Sequence, residues 1–433
     1  GKAARGSDGN LGVPNNWLSV YADSAWQWDE TRKQYYLHQY LTEQPDLNLR
    51  NPDVVAELDA AMKFWLEQGV DGFRVDSAAN LIECENFEDE EPSGEGTEKE
   101  YKYLAHDCTT FQTGSYELIT HWRELLDQYS KDGTKVLMVE SYGNANQTTS
   151  FFEYNDMPGA HLPLNYNLVN LKKGCEGHCV HDLVSNWVGS MDSGYWPNWV
   201  LGNHDHSRVA TRLGEEFVNA ANMLLTTLPG TAFTYYGEEI GMYDVDISFE
   251  QAQDPLGKDK GASKYKDYSR DPQRTPMQWS DEANAGFTTA TPWLPVASDY
   301  DERNVAAQKA TGAGESNLNV YSTLTRLRQE PSFQWGGMHF AITTDNMFSY
   351  VRKADGFPAY LVAINFGSQA TTVSFHSSQS ELVPALGRVR ATTANFPGPT
   401  QAEDFEIGRE ISLDHIHLRP AEGIVVELQP ASE

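Results

Sequence analysis

Helix-like and strand-like segments alternate along the middle of this chain, and this alternation limits its possible folds more than any other feature. Apolar residues recur at helical spacing over residues 51–69, and the strand-like run GFRVD follows at once. The same order repeats, with helices predicted near residues 115–131, 181–190 and 215–228 and strands near 135–139, 198–202 and 231–236. A helix between successive strands lets those strands run parallel. The pattern therefore predicts a parallel α/β sheet or barrel.

The first predicted helix has a defined start, apolar face and end. Asn51 is a suitable N-cap, Pro52 suits the first turn, and Gly69 ends the helix. The apolar face is predicted to consist of Val54, Val55, Leu58, Met62 and Trp65.

An acidic residue follows the strand-like part of three runs. Asp76 lies in GFRVDSA, Glu140 in VLMVESY and Asp205 in VLGNHDHSR. In a parallel barrel the active site is formed by the loops that follow the C-terminal ends of the strands, so the three acids are predicted to share one site. Retaining glycoside hydrolysis needs a carboxylate nucleophile, a protonated carboxylic acid and further negative charge near the sugar.

The order and flanks of these motifs resemble the α-amylase superfamily of glycoside hydrolases (family 13). The resemblance is to its animal maltase (α-glucosidase) branch and to the related heavy chains of amino-acid transporters. The runs YYGEEIGM and RDPQRTPMQW are similar to further stretches of that family. The resemblance implies that Asp76 is the nucleophile, that Arg74 holds this carboxylate ionised, and that Glu140 is the general acid. An alternative reading of Arg74 and Asp76 is a pair that stabilises a strand end.

The resemblance also implies residues that bind the glucose. His204 and Asp205 of the GNHD run would grip the sugar that is cleaved, and Arg274 would reach the non-reducing glucose. An alternative role of Arg274 is to hold the long loop in which it lies, and the two roles are compatible. Family members usually continue the motif with an amide and a proline, whereas this chain has His206 and Ser207. That departure bears on substrate preference more than on chemistry.

The predicted domain organisation follows from the same resemblance. Residues 1–50 would be the end of a small inserted domain, and residues 51–333 the C-terminal part of a (β/α)8 TIM barrel, about strands 4–8. Short alternating runs after Trp335 predict an all-β C-terminal sandwich over residues 334–433. About five strand–helix units can be placed where a closed barrel has eight. We therefore expect the N-terminal strands to lie outside this chain, either in a bound N-terminal fragment of the same precursor or in a longer chain of which this sequence is a part.

The composition limits the classes of partner that the protein is expected to bind. With 62 acidic and 32 basic residues, the formal charge of −30 would repel phosphate backbones and anionic lipid headgroups, so no nucleic-acid partner is expected. No apolar stretch approaches the roughly 20 residues of a membrane helix. The resemblance implies an α-glucoside oligosaccharide or sucrose as substrate. It implies no cofactor, and a structural calcium ion would belong to the N-terminal part that we expect outside this chain.

The cysteines form two local pairs, Cys84 with Cys108 and Cys175 with Cys179. Two short disulfides are the simplest interpretation, and they indicate an oxidising, extracellular compartment.

Two further features bear on the surface of the protein. His178 and His181, beside Cys175 and Cys179, offer an alternative zinc site, but structural zinc sites usually draw on two separated ligand pairs. The sequon at Asn146 fits a glycosylated surface.

The sequence thus predicts a secreted, retaining, exo-acting α-glucosidase of the maltase or sucrase type. The competing hypothesis is a catalytically silent relative, either a transporter heavy-chain ectodomain or a binding protein. Retention of three acids favours the enzyme, because their mutual repulsion costs stability that a binding module need not lose. In the family that the chain resembles, a β-branched valine after the nucleophile accompanies α-1,6 cleavage, so the resemblance implies that the small, polar Ser77 favours α-1,4 cleavage. The alternative is that Ser77 simply packs at a strand end.

Overall fold

The computed structural model describes residues 12–21, 23–98, 100–310, 316–393 and 405–429. The chain divides into two compact units, Gly1–Leu164 and Asn165–Glu433, which are described one at a time. The domain boundaries predicted near residues 50 and 333 stay predictions. No helix among the described residues is both long enough and apolar enough to cross a membrane.

The described strands are β1 (Trp26–Asp29), β2 (Gln34–Leu37), β3 (Gly72–Val75), β4 (Val136–Val139), β5 (Glu153–Tyr154), β6 (Met157–Pro158), β7 (Leu162–Pro163), β8 (Asn198–Val200), β9 (Thr231–Phe233), β10 (Gly337–Phe340), β11 (Met347–Lys353), β12 (Ala359–Asn365), β13 (Thr371–Val373), β14 (Leu386–Thr392), β15 (Glu410–Ser412), β16 (Ile416–Leu418) and β17 (Gly423–Leu428). The described α-helices are α1 (Pro52–Glu67), α2 (Thr113–Asp127), α3 (Ala145–Thr149), α4 (Gly177–Gly189), α5 (Val209–Leu213), α6 (Val218–Thr227), α7 (Pro255–Asp259), α8 (Val305–Ala310), α9 (Asn317–Leu327), α10 (Pro331–Gln334) and α11 (Phe375–Ser378).

A parallel sheet in the order β3-β4-β7 forms the centre of the N-terminal unit. The strands β3 and β4 were predicted from the sequence, whereas β7 is two residues long and ends in a proline, too short to show a periodic pattern. At Gly72 a side chain would not fit, because a Cβ there would lie 2.1 Å from the carbonyl oxygen of Val136. Helix α2 buries Ile119 and Trp122 in the same apolar cluster as Leu137 of β4.

Helix α1 begins as predicted but presents a slightly different face. The Asn51 side chain accepts a hydrogen bond from the Asp53 backbone N–H at 3.0 Å, which caps the helix. Leu66 is buried, whereas the side chain of Trp65 is 53% exposed. Leu66 belongs to the apolar cluster of the unit, and Val55, Leu58 and Met62 pack against it. The expectation that Trp65 belongs to this face is wrong, because Trp65 is mostly exposed.

The C-terminal unit contains a parallel pair, β8-β9, and a six-stranded antiparallel sheet in the order β10-β11-β12-β17-β14-β15. A two-stranded sheet, β13-β16, shares one apolar core with the large sheet, in which Val373 and Ile416 meet Val351 and Val426. The other face of the large sheet is also covered, because the Tyr350 hydroxyl contacts Thr227 of α6 at 2.5 Å. Short alternating runs after Trp335 thus form strands, as their pattern predicted.

Candidate active site

Asp76 and Glu140 follow two neighbouring parallel strands of the N-terminal unit. Val75, the last residue of β3, pairs with Val139, the last residue of β4. The pairing continues beyond the strands, because the Glu140 N–H donates to the Val75 carbonyl and the Ala78 N–H donates to the Glu140 carbonyl, both at 2.9 Å. Continued pairing holds the two acids side by side at the carboxyl edge of the sheet.

One guanidinium binds both acids. Arg74 Nη1 lies 2.8 Å from Asp76 Oδ1, and Arg74 Nη2 lies 2.8 Å from Glu140 Oε2. The planar fork of an arginine fixes the direction of each carboxylate as well as neutralising charge. The predicted contact of Arg74 with Asp76 is therefore present, and Arg74 also holds Glu140, which the sequence did not indicate.

The carboxyl groups of Glu140 and Asp76 differ in how deeply they are buried. The side chain of Glu140 is 4% exposed, whereas that of Asp76 is 73% exposed. Burial, together with a hydrogen bond with Asp76, raises the pKa of Glu140 to about 7, although the charge of Arg74 acts in the opposite direction. Near neutral pH Glu140 can thus hold a proton, as a general acid must, while Asp76 is open to a substrate.

Ser77 follows Asp76 in an unusual backbone conformation. Its φ of 44° and ψ of 46° are left-handed, a region in which β-branched residues are strained. The Tyr40 hydroxyl donates a hydrogen bond of 2.6 Å to Ser77 Oγ. These two observations give a conformational reason for a small hydroxyl residue here. Tyr40 was not found from the sequence, because it lies 37 residues away with no motif of its own.

A second charged group lies in the C-terminal unit around Asp205, in the loop after β8. His204 Nε2 is 3.3 Å from Asp205 Oδ2, and Arg274 Nη2 is 2.7 Å from Asp205 Oδ1. Arg274 Nε also donates to the His204 carbonyl oxygen at 2.8 Å. The three residues assigned to sugar binding in this unit are therefore in contact.

Sequence reasoning missed Arg270 and Asp254 in this group. Arg270 Nη1 lies 3.1 Å from Asp205 Oδ1, and its Nε and Nη2 donate to the two carboxylate oxygens of Asp254 at 2.9 and 2.8 Å. Although burial raises the pKa of Asp254, the hydrogen bonds from Arg270 hold it below its ordinary value. Asp254 thus fixes Arg270 in position to face Asp205. Arg270 could have been found from the sequence, because it is the first residue of the RDPQRTPMQW run that contains Arg274.

A cavity of about 580 Å³ adjoins the Asp205 group. It is lined by His204, Tyr235, Tyr236, Glu239, Arg274, Pro276, Met277, Trp279, Phe287 and Trp293. All of these residues belong to the C-terminal unit, and a volume of this size is in the usual range for small-molecule sites.

The structure therefore brings together Arg74, Asp76 and Glu140 in one unit, and His204, Asp205 and Arg274 in the other. That the two groups form a single active site stays a prediction.

The cysteine pairs form disulfides. Cys84 is bonded to Cys108 and Cys175 to Cys179, with Cα atoms 4.7 and 5.2 Å apart. The alternative zinc site is thereby excluded, because both of its thiols are taken. Among the described residues no cluster of three or more His, Cys, Asp or Glu side chains is arranged to hold a metal ion. Asn146 of the sequon is exposed.

Comparisons with known proteins agree with the motifs. Residues 2–336 match the family model of the alpha amylase catalytic domain, so the chain belongs to the α-amylase family. The Anopheles gambiae protein named salivary alpha-glucosidase is 39% identical, over 97% of this chain and 71% of its own length. The Rattus norvegicus amino acid transporter heavy chain SLC3A1 is 37% identical, over 96% of this chain and 58% of its own length.

Comparison with solved structures also finds a carbohydrate-active enzyme with a similar fold. The crystal structure of the alpha-glucosyl transfer enzyme XgtA matches with a TM-score of 0.80 and 28% identity, over 98% of this chain and 76% of that one. The chain thus has an α-amylase-type α/β fold. The named α-glucosidases support the prediction of a glycoside hydrolase. The chain spans 58% to 71% of the length of several curated relatives, so the activity of the whole protein is a proposal.

Proposed function

We propose that the protein is a retaining α-glucosidase that releases glucose from the non-reducing ends of short α-glucosides, such as maltose-like oligosaccharides or sucrose. The shared Arg74 guanidinium carries this proposal, because it keeps Asp76 and Glu140 close together. Retaining glycosidases need such closeness, with carboxyl groups about 5–5.5 Å apart, whereas inverting enzymes need a wider gap for water.

The roles follow from the surroundings of each acid. Glu140 gives its proton to the glycosidic oxygen while Asp76 attacks the anomeric carbon, and the leaving alcohol departs. Water then attacks the resulting glucosyl ester, Glu140 takes the water proton, and Asp76 is released as a carboxylate. In this proposal His204, Asp205 and Arg274 hold the hydroxyls of the same glucose, with Arg270 steadying Asp205.

Substitution of the two acids tests the roles. Asp76→Asn should reduce hydrolysis of maltose and of p-nitrophenyl α-glucoside on the order of 10⁴-fold or more, because the nucleophile is lost. Glu140→Gln should lower kcat/KM for maltose about 10²- to 10⁴-fold but kcat/KM for p-nitrophenyl α-glucoside much less, because p-nitrophenolate leaves without a proton and kcat/KM does not include the later hydrolysis of the glucosyl ester. Asp71→Asn is a matched control, since its side chain is 96% exposed just before β3. Near-normal activity of Asp76→Asn would refute the assignment.

Stereochemistry gives an independent test. Proton NMR during hydrolysis should show α-glucose first, because two displacements restore the original anomer. Initial release of β-glucose would exclude a nucleophilic Asp76.

The second candidate function is a catalytically silent, heavy-chain-like protein. The 37% identity to the rat transporter heavy chain is the observation that favours it. A folded protein that hydrolyses no α-glucoside, and whose Asp76→Asn variant behaves identically, would support this alternative.

We also propose that the protein is secreted and carries a glycan at Asn146. The name of the salivary mosquito relative and the two disulfides support secretion. Asn146→Gln should remove one glycan mass from protein produced in eukaryotic cells.

A further inference from the structure

A short turn over residues 77–80 follows Asp76 directly. It closes with a hydrogen bond of 2.9 Å from the Asn80 N–H to the Ser77 carbonyl oxygen. The turn also contacts Glu140, because the Ala78 N–H donates to the Glu140 carbonyl oxygen at 2.9 Å and the Ser77 N–H donates to Glu140 Oε2 at 3.4 Å. The conformation of this turn therefore bears on both of the proposed catalytic acids.

Gln39 holds the C-terminal end of this turn with a pair of amide hydrogen bonds. Its Nε2 donates to the Asn80 carbonyl oxygen at 2.9 Å, and its Oε1 accepts a hydrogen bond from Asn80 Nδ2 at 2.9 Å. The same Nε2 donates to Glu83 Oε1 at 2.8 Å. Because Gln39 is 2% exposed, water does not compete for these bonds. The whole amide of Gln39 is thus used to hold the segment that follows Asp76.

The segment that carries Gln39 is itself anchored. The Gln39 backbone N–H donates to Asp46 Oδ2 at 2.6 Å, and the Gln39 carbonyl oxygen accepts the Val20 N–H at 2.8 Å. The next residue, Tyr40, donates its hydroxyl to Ser77 Oγ at 2.6 Å. Two adjacent residues of one anchored segment therefore hold the two ends of the turn.

The backbone of the turn needs such anchors. Ser77 has a left-handed conformation, with a φ of 44°, and it lies directly beside Asp76. A residue with a side chain keeps this conformation only where its surroundings fix it, and such strain is concentrated at functional sites. A turn that relaxes from this conformation would carry the Asp76 backbone with it.

We propose that Gln39 is a positioning residue, which holds Asn80 and so keeps the turn after Asp76 in the conformation that directs the Asp76 carboxylate at the anomeric carbon. This rests on the proposed function, in which Asp76 is the nucleophile. Gln39 acts through the turn rather than on the substrate. Nucleophilic attack needs aligned atoms about 3–3.5 Å apart, so a small displacement of Asp76 slows the chemical step more than it weakens substrate binding.

Gln39→Met tests the proposal, because methionine has a similar length and no amide. For the full chain acting on maltose, kcat should fall about tenfold to a hundredfold, with a smaller change in KM. Gln27→Met is the matched control. Gln27 lies exposed on β1 of the same unit, where its amide donates to the carbonyl oxygen of the neighbouring Trp28, so its loss should leave kcat unchanged.

A second variant, Asn80→Leu, separates positioning from destabilisation. Asn80 is only partly buried, and its replacement should also lower kcat. If Gln39 acts through Asn80, the double variant should lose less kcat/KM than the product of the two single losses. Losses that multiply would contradict this route. A purely structural role would instead lower the midpoint of urea unfolding and leave the kcat of the folded variants unchanged.

Hydrogen exchange provides a readout that needs no turnover. Mass spectrometry of peptides covering residues 77–83 should show faster amide exchange in Gln39→Met than in the wild type or in Gln27→Met. An unchanged kcat, or unchanged exchange in these peptides, overturns the inference. A wild-type protein that hydrolyses no α-glucoside would contradict the proposed function, and the exchange rates would still decide whether Gln39 holds the turn.

Discussion

Asp76 and Glu140 are carboxyls of nearly equal intrinsic acidity, and their surroundings alone separate them. Arg74 touches both, but Glu140 is buried and Asp76 is exposed. Desolvation penalises the charged form of Glu140, which raises its pKa to about 7. The exposed acid keeps access to substrate. One arginine and a difference in burial thus distinguish the two carboxyls, as the proposed roles of general acid and nucleophile require.

This arrangement predicts a specific pH dependence. The kcat/KM of the wild-type protein should fall as pH rises through about 7, because Glu140, the proposed general acid, then loses its proton. Arg74→Met should move this alkaline limb to higher pH, since the charge that lowers the pKa of Glu140 is gone, and should reduce kcat at least about a hundredfold through misalignment. The pH profiles of both proteins are the measurement, with exposed Arg32→Met as control. A limb that stays in place or moves to lower pH contradicts the electrostatic role.

Glu238 is a second buried carboxyl, outside the proposed chemistry. It is 2% exposed, and its Oε1 has no hydrogen-bond partner among the described residues. Burial raises its pKa to about 8, despite the N–H of Tyr235 and the charges of Arg212 and Arg208. We therefore expect Glu238 to be neutral in the folded protein at physiological pH.

Its titration should appear in the stability of the protein. The folded state keeps a proton on Glu238 that the unfolded state loses above about pH 4.5, so the free energy of unfolding should fall as pH rises from 5 to 8. The slope from this group is at most about 1.4 kcal/mol per pH unit. Glu238→Gln should remove that part of the slope in urea unfolding at pH 5, 6.5 and 8. Equal slopes for wild type and variant would show that Glu238 is charged in both states.

At the scale of elements, one side chain fixes the loop between β8 and α5. Arg212 of α5 donates to the carbonyl oxygen of Leu201 at 2.8 Å and to that of Ser207, at the two ends of the loop that carries His204 and Asp205. A single guanidinium therefore joins the two ends of the loop that carries Asp205.

Arg212→Lys should weaken catalysis through this loop. A lysine keeps the charge but, as a point donor, does not reproduce the fork that reaches both carbonyls. We expect kcat to fall about tenfold to a hundredfold, with a smaller change in KM, because the proposed role of Asp205 is to stabilise the transition state. Added guanidinium ion should partly restore the activity of the Arg212→Ala variant. It would not restore the activity of a globally destabilised protein. Arg326→Lys, on the exposed side of α9, is the control. A rise in KM alone would contradict a positioning role.

At the scale of the whole molecule, the two disulfides constrain the unfolded chain unequally. Cys84 and Cys108 are 24 residues apart, whereas Cys175 and Cys179 are 4 apart. The entropy of closing a loop grows with its length.

Replacing Cys84 and Cys108 by serine should therefore cost about 3.5 kcal/mol, against about 2 kcal/mol for Cys175 and Cys179. Calorimetry of each double variant, compared with wild type, measures the difference. Because the pairs lie in different compact units, separate transitions would each report on one pair. A larger loss from the shorter loop would show that native-state packing, rather than chain entropy, dominates.

The sequence by itself determined the features that depend on neighbouring residues. The cap at Asn51, the strands β3 and β4, the acids that follow them and the local cysteine pairs could be predicted because each leaves a short pattern of spacing or composition. The α/β fold class followed from the order of such patterns. The two-residue strand β7 could not be predicted, because it has no period of its own and exists only through its pairing with β4.

Tertiary structure decided the contacts between residues far apart in the chain. Arg270 reaches Asp205 across 65 residues, and Arg74 reaches Glu140 across the intervening helix α2. Neither pairing could be predicted, because the sequence around a charged residue does not show which distant residue it contacts. Burial is likewise a property of the folded chain. The sequence therefore identified the carboxyls, whereas only folding placed Glu140 in a buried position that raises its pKa and left Asp76 exposed.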